Sequence, residues 1–276
     1  MGKGISMNTI LLSDFTLEDS IAGGSEMVDD TISKALGIPI VRCRDFVPDP
    51  KVKLLISNIS TLEKSKLATI VEKCNYSIIE HDYKIHWTRH PWRFKDCLVP
   101  TNERINYDLY RNANAVFTQT SDHLEVFKLN EVKANFINLD CSIWSNKELS
   151  KLRRTYATDR CQDFAVVDSD NWIKNTKAAI EVCKANKWSY RLIKSNSWEE
   201  FISKLSDCSA LVFFPVARES CCRLLVEAKC IGLNVITNDN SGAFRSVWFN
   251  LSGPELIDYL EEGSKKNLSV IQRNLE

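Results

Sequence analysis

The chain has 276 residues, 44% of them hydrophobic and 26% charged, with 36 Lys and Arg against 36 Asp and Glu for a formal net charge of zero. That apolar content suits one large core or two small ones and excludes disorder as the dominant state, while the neutral balance excludes a global field drawing the protein onto nucleic acid or anionic lipid. The longest apolar runs, such as residues 210–214 ahead of Pro215, fall far short of the roughly 20 residues a membrane span needs, so a soluble protein with no membrane span is expected.

Residues 1–6, from Met1 to Ser6, formally fit an N-myristoylation pattern, but Met7 begins a better-looking chain, and a leader or alternative start is the preferred reading. In the first half, short β-branched and apolar runs at 9–12, 38–42, 53–56, 76–80, 115–118 and 136–139 predict strands, and 25–36, 61–73, 102–112 and 121–129 predict helices. Gly37 stands where a left-handed cap belongs. Residues 145–162, rich in charge from Lys147 to Asp159, read as a boundary. The rhythm then restarts with strands at 164–167, 190–193, 210–214 and 234–237, and helices at 175–186, 198–205, 221–230 and 254–262. Alternating βα units predict an α/β protein of two doubly wound parallel-sheet domains, 1–145 and 146–276. Ten scattered cysteines without a C-x-x-C pair, and no signal-peptide core, predict free, mostly buried thiols in a reducing, cytoplasmic compartment and no structural zinc.

In open parallel sheets the ligand sits outside the carboxyl ends of the strands. Four segments following strands are therefore the site candidates. After the strand at 210–214 and Pro215 come Arg218, Glu219, Ser220, Arg223 and Glu227, followed by Gly232 and the strand Val235, Ile236, Thr237. With a helix starting near Ser220, a spacing of eight residues turns through roughly 800° and brings both glutamates to one helical face. A helix start beside Arg218 and Arg223 suits a diphosphate, and a carboxylate further along suits paired ribose hydroxyls. The second segment is Gly23, Gly24, Ser25 and Glu26 after the first strand, paired glycines opening a helix. The third is Glu80, His81, Asp82, Tyr83 and Lys84 after the fourth strand. His81, His86 and His90, spaced by five and four without a patterned partner, make a metal site improbable. The fourth is Asp168, Ser169 and Lys174 after the strand at 164–167.

The Glu-x7-Glu segment, followed by Ala228, a Gly-containing turn and a Val-Ile-Thr strand, resembles the retaining GT-B glycosyltransferases of family four. The resemblance is best over 164–248 and covers most of the chain. It implies a GT-B fold, two Rossmann-like domains facing a central cleft, and transfer of a sugar from a nucleotide-sugar donor, UDP-sugar foremost, with retention and generally without a metal. It implies that Glu219 contacts the donor sugar and Glu227 the ribose. Gly23, Gly24 and Ser25 are similar to the family's glycine loop at the donor phosphates or sugar, and His81 to a histidine approaching the sugar; the ordinary alternative for His81 is a strand-end structural hydrogen bond. Lys174 matches a lysine that neutralises the diphosphate. The family's partner arginine is missing where Asp168 or Ser169 falls, which leaves Arg218, Arg223 and the helix start at Ser220 to compensate.

The segments around Lys84, Asn138, Trp144, Asp168 and Lys174 look like a compact bacteriophage subgroup. In the N-terminal half, Lys84, Trp87, Arg89, Trp92, Arg93 and Lys95 interleave charge with aromatic rings, which suits phosphates and a stacked base or sugar. The alternative is a solvated basic loop anchored by two buried tryptophans. The expected acceptor is thus a hydroxymethylated cytosine in phage DNA, or else a carbohydrate or small molecule; a non-catalytic nucleotide-sugar-binding scaffold is the reading from another class.

Overall fold

Alternation along the strands decides which side chains meet. In the computed structural model, which describes residues 8–19, 23–156 and 160–276, Leu11, Leu55, Ile79 and Phe117 lie in one buried cluster, and Leu12, Leu54, Ile56, Ile78 and Val116 in another. Neighbouring positions on one strand point to opposite faces of a sheet, so both faces are covered there and these strands read as mostly apolar sequence. The leader expected at residues 1–6, and Asp159 of the charged run, lie outside the described residues.

The first unit comprises 1–145 and 263–276. Its chain runs β1 (Thr9–Ser13), α1 (Gly24–Leu36), β2 (Ile40–Arg42), β3 (Lys53–Ile56), α2 (Lys64–Lys73), β4 (Asn75–Ile79), α3 (Tyr107–Arg111), β5 (Val116–Thr118), α4 (Ser121–Leu129) and β6 (Phe136–Asn138). The strands form one parallel sheet in the order β2-β1-β3-β4-β5-β6. Gly37 ends α1 with φ 67°, the left-handed conformation glycine adopts without a Cβ clash. The helix expected at 102–112 shrinks to α3, because Asn106 is itself left-handed at φ 62° and a helix cannot run through it.

The second unit comprises 146–262. It runs α5 (Asn146–Thr155), β7 (Phe164–Val167), α6 (Thr176–Ala185), β8 (Tyr190–Ile193), α7 (Trp198–Ser206), β9 (Ala210–Phe213), α8 (Arg223–Cys230) and β10 (Asn234–Thr237), and a last helix, α9 (Gly253–Leu275), begins in it. Its parallel sheet has the order β10-β9-β7-β8, and Val166, Ala179, Cys183 and Val212 are buried together between sheet and helix. Part of the segment read as a charged boundary is the helix α5. Its Leu149 and Leu152, three apart on one face, are buried while Lys147, Arg153 and Arg154 are exposed.

Two further expectations are corrected. The last helix extends well beyond Glu262, and residues 263–276 belong with the first unit, not with 146–262: Ile271 and Leu275 are fully buried in the cluster that holds Val28, Ile32 and Phe117. The helix expected from 221, with its start near Ser220, begins only at Arg223, since Cys222 at φ 66° and ψ 74° interrupts the helical path. All ten cysteines carry free thiols, eight of them buried. No helix among the described residues is long and apolar enough to cross a membrane.

Candidate functional site

In the second unit, β7 leads through α6 to β8 on one side, whereas β9 leads through α8 to β10 on the other. The carboxyl ends of β7 and β9 therefore flank a topological switch point, where open α/β sheets bind ligands. Lys174, in the turn before α6, and Glu219, in the segment after β9, meet there: the Lys174 ammonium donates to Glu219 Oε1 at 2.9 Å. Burial works against the charge on Lys174, but the Glu219 carboxylate outweighs it and raises the lysine's pKa. The two loops are tied by Val216 N–H donating to the Ile173 carbonyl at 2.9 Å. Behind Glu219 runs a short parallel bridge to Ser241, with Glu219 N–H donating to Asn240 O at 3.2 Å and Gly242 N–H to Glu219 O at 2.9 Å. Glu219 is thus held by extended backbone. Burial, and then the Glu219 charge, pushes the neighbouring Cys222 thiol well up, so that it stays protonated beside the pair.

This corrects the geometry expected from the Glu-x7-Glu spacing: Glu219 precedes α8, and the two glutamates do not share a helical face. Glu227, inside α8, accepts from the Trp198 indole N–H at 2.9 Å and from Arg223 Nε at 3.3 Å. Arg223 also pairs with Glu148 of α5. The three side chains are 9%, 7% and 5% exposed for Arg223, Glu148 and Glu227. Arg223 is therefore engaged in neutralising two buried carboxylates. Neither Trp198 nor Glu148 stands next to a motif residue, so the sequence gives no sign of these two partners. Arg218 is half-buried and Ser220 is buried.

In the first unit, Gly23 caps α1, and its N–H donates to Glu26 Oε2 at 2.8 Å while the Ser25 hydroxyl donates to Glu26 Oε1 at 2.9 Å. Gly24 opens the helix. His81, just past β4, lies between Asp29 of α1 and Gln119 after β5, at 3.0 and 3.1 Å from its two ring nitrogens. Neither partner was singled out from sequence, although Asp29 beside Val28 and near Ile32 is a carboxylate on an apolar helix face.

The stretch from Lys84 to Lys95 is not the solvated basic surface the sequence suggested. Lys84 is buried with its ammonium on Glu80 and 3.6 Å from Asp82, and Glu80 also accepts from the Tyr110 hydroxyl at 2.5 Å. Burial raises the Glu80 pKa despite Lys84. For Asp82 burial acts in the same direction, but Lys84 and Arg89 prevail and lower it. Arg89 donates to Asp82 at 2.8 Å and to Asn58 at 3.1 Å. His86 is held by Thr88 and Glu103. Only part of the stretch faces water: Trp87 is 74% exposed, Arg93 and Lys95 are exposed, and Trp92 is half-buried. Among the described residues, no group of three or more His, Cys, Asp and Glu is arranged to hold a metal ion.

No family model matches the sequence, and no curated protein matches it. Solved structures do. Anabaena HepE in complex with UDP and glucose is similar with a TM-score of 0.55 at 13% identity, over 97% of this chain and 93% of that one. HepE in complex with UDP-glucose gives 0.49 at 12% identity over 97% and 93%. An E. coli trehalose-6-phosphate protein bound with UDP-2-fluoro glucose gives 0.49 at 9% identity over 96% and 95%. Two parallel doubly wound sheets and the likeness to HepE along nearly the whole of both chains establish the fold of this α/β protein as GT-B.

Proposed function

We propose that the chain is a nucleotide-sugar-dependent glycosyltransferase, with a UDP-sugar as donor and a hydroxyl as acceptor. The observation that carries this reading is the Lys174–Glu219 pair at the switch point of the second sheet. A cation and a carboxylate side by side match the two chemistries of such a donor, an anionic diphosphate and a ring of hydroxyls. Lys174 also sits at the N-terminal end of α6, where the helix dipole favours negative charge. As the bond between sugar and diphosphate breaks, charge grows on the departing phosphate oxygen. A fixed ammonium stabilises that charge best where water is scarce. Glu219 accepts from sugar hydroxyls through the oxygen turned away from Lys174. Its backbone bridge to Ser241 keeps the carboxylate in place without reorganisation. Glu227 accepts from a ribose hydroxyl alongside its bond from the Trp198 indole, so its contribution is to affinity.

Retention, and kinship with a compact bacteriophage subgroup, rest on the motif resemblance. The acceptor divides into two classes. With Lys84 and Arg89 committed to internal carboxylates, the exposed Trp87, Arg93 and Lys95 favour a carbohydrate or small hydroxylated ring over a long phosphate track. Binding to duplex DNA carrying hydroxymethylated cytosine, lost steeply with added salt, decides for the nucleic acid instead.

The test is a thermal-shift series with nucleoside diphosphate sugars, followed by donor hydrolysis without acceptor. A donor at a hundred times its dissociation constant stabilises by about 2.7 kcal/mol. Lys174→Met is expected to remove most of the shift, and Glu219→Gln to abolish hydrolysis in a folded protein. The reading is lost if no nucleotide sugar shifts the transition, or if Glu219→Ala turns over at the wild-type rate. Binding without hydrolysis or transfer points to the non-catalytic scaffold.

A further inference from the structure

The first unit has its own switch point, between β1, which leads through α1 to β2, and β3, which leads the other way to β4. Asp29 spans it. This carboxylate is fully buried. Its Oδ2 accepts from the Ser13 hydroxyl at 2.9 Å, where β1 ends, and from the Ser57 hydroxyl at 2.7 Å, just past β3. Its Oδ1 lies 3.0 Å from His81 Nε2. Two serines thus fill one oxygen and leave the other for the imidazole.

The second ring nitrogen is assigned from the other side. Gln119 Nε2 lies 3.1 Å from His81 Nδ1 and 3.2 Å from the carbonyl oxygen of Glu80. A carbonyl only accepts, so the amide group beside it is the NH2, and that group also donates to Nδ1. Nδ1 is therefore an acceptor. Nε2 carries the ring proton and gives it to Asp29, and both partners specify one tautomer.

We propose that Asp29 is a positioning residue for His81, holding the imidazole as the Nε2–H tautomer so that its Nδ1 lone pair meets only hydrogen-bond donors. The role in the reaction rests on the glycosyltransferase reading above; the tautomer does not. A hydroxyl of the sugar or acceptor satisfies Nδ1 by taking the place of the Gln119 amide. A phosphate oxygen without a proton is turned away.

The experiment uses the 15N-labelled full chain and long-range imidazole 1H–15N correlations near pH 8, above the usual histidine pKa of about 6.5, with His81 assigned through His81→Gln. Wild type is expected to show a protonated-type Nε2 and an unprotonated-type Nδ1. Gln119→Leu is expected to keep that pattern, because Asp29 remains. The reverse pattern, or averaging between the two tautomers, overturns the proposal. In activity, Asp29→Asn is expected to lower turnover about 10- to 100-fold with little change in donor KM, a loss of the size small misplacements cause. Combined with His81→Gln, it is expected to lose nothing further, since it acts through that ring. Losses that multiply overturn the positioning role. If Asp29→Asn does not fold, the wild-type and Gln119→Leu spectra still decide the tautomer. If wild type binds no nucleotide sugar, the functional reading fails while the tautomer stands or falls on its own spectra.

Discussion

Replacing Arg223 with methionine tests whether this guanidinium serves the fold or a ligand. Methionine keeps much of the bulk and removes the charge shared by Glu148 and Glu227, both more than nine-tenths buried. Breaking a buried pair by removing one partner costs about 3–5 kcal/mol, because the remaining ion is left uncompensated. A stranded carboxylate can escape by taking up a proton. From pH 7 that costs an ordinary glutamate about 4 kcal/mol, and from pH 5 about 1 kcal/mol, at 1.36 kcal/mol per unit above a pKa near 4.3. Glu227 keeps the Trp198 indole, which softens its share. Arg223→Met is therefore expected to destabilise the second unit by about 3–5 kcal/mol at pH 7 and by clearly less at pH 5. Urea titrations at the two pH values, with hydrogen exchange resolving α8, measure the difference. A loss below about 1 kcal/mol at pH 7, or one that does not shrink at pH 5, refutes the buried-triad account. A loss of UDP affinity with unchanged stability puts Arg223 back at the diphosphate.

His123 is buried and its pKa is held at about 4 by that burial. The unfolded chain, with histidine near 6.5, binds the proton more readily, so stability is full above pH 6.5 and falls as pH drops toward 4, by about 3 kcal/mol from this group. A stability-versus-pH curve for His123→Gln should flatten over that window; an unchanged slope removes His123 as its source. Gly232 has φ +87°, and a Cβ there would come 2.8 Å from Tyr156 Cε2. Gly232→Ala is expected to cost more than about 1 kcal/mol, combining strain with the clash, and a neutral result in chemical denaturation would mean that Tyr156 moves aside. Ile271→Ala should destabilise the first unit by about 2–5 kcal/mol, as for other fully buried aliphatic side chains. Protection of α1 and β1 amides reports it, and an unaffected first unit contradicts the packing of 263–276 there.

The strands were legible because buried parallel strands are short, apolar and evenly spaced by helices. Lys174, Glu219 and His81 each follow the carboxyl end of one of these strands, a placement readable with no knowledge of contacts. What the sequence could not convey was backbone handedness and pairing at a distance. Nothing in the letters around Cys222 announces a positive φ, so the sequence reads as helix through it and puts the two glutamates on one face. The run from Lys84 to Lys95 has no period, and its charges looked solvated; the partners of Lys84 and Arg89, at Glu80 and Asp82, stood only a few residues earlier. In α5, two leucines among ten mostly polar residues gave too little apolar signal to outweigh the surrounding charge.

The return of residues 263–276 to the first unit bears on how the molecule is made. Protein synthesis is vectorial, at about 5–20 residues per second, and all six strands of the first sheet precede these residues. A nascent chain that has just completed β6 at Asn138 therefore waits through about 135 further residues, roughly 7–27 s at that pace, before Ile271 and Leu275 exist to cover the sheet face around Leu11, Ile32 and Phe117. Lys53, which opens β3, likewise waits for the Leu275 carbonyl, 2.7 Å away in the finished protein. During that interval the growing polypeptide carries an apolar surface on which ribosome-associated chaperones can act. A protease nick near residue 146 would also sever the chain without yielding two self-sufficient fragments, since the amino-terminal piece lacks a strip of its own interior.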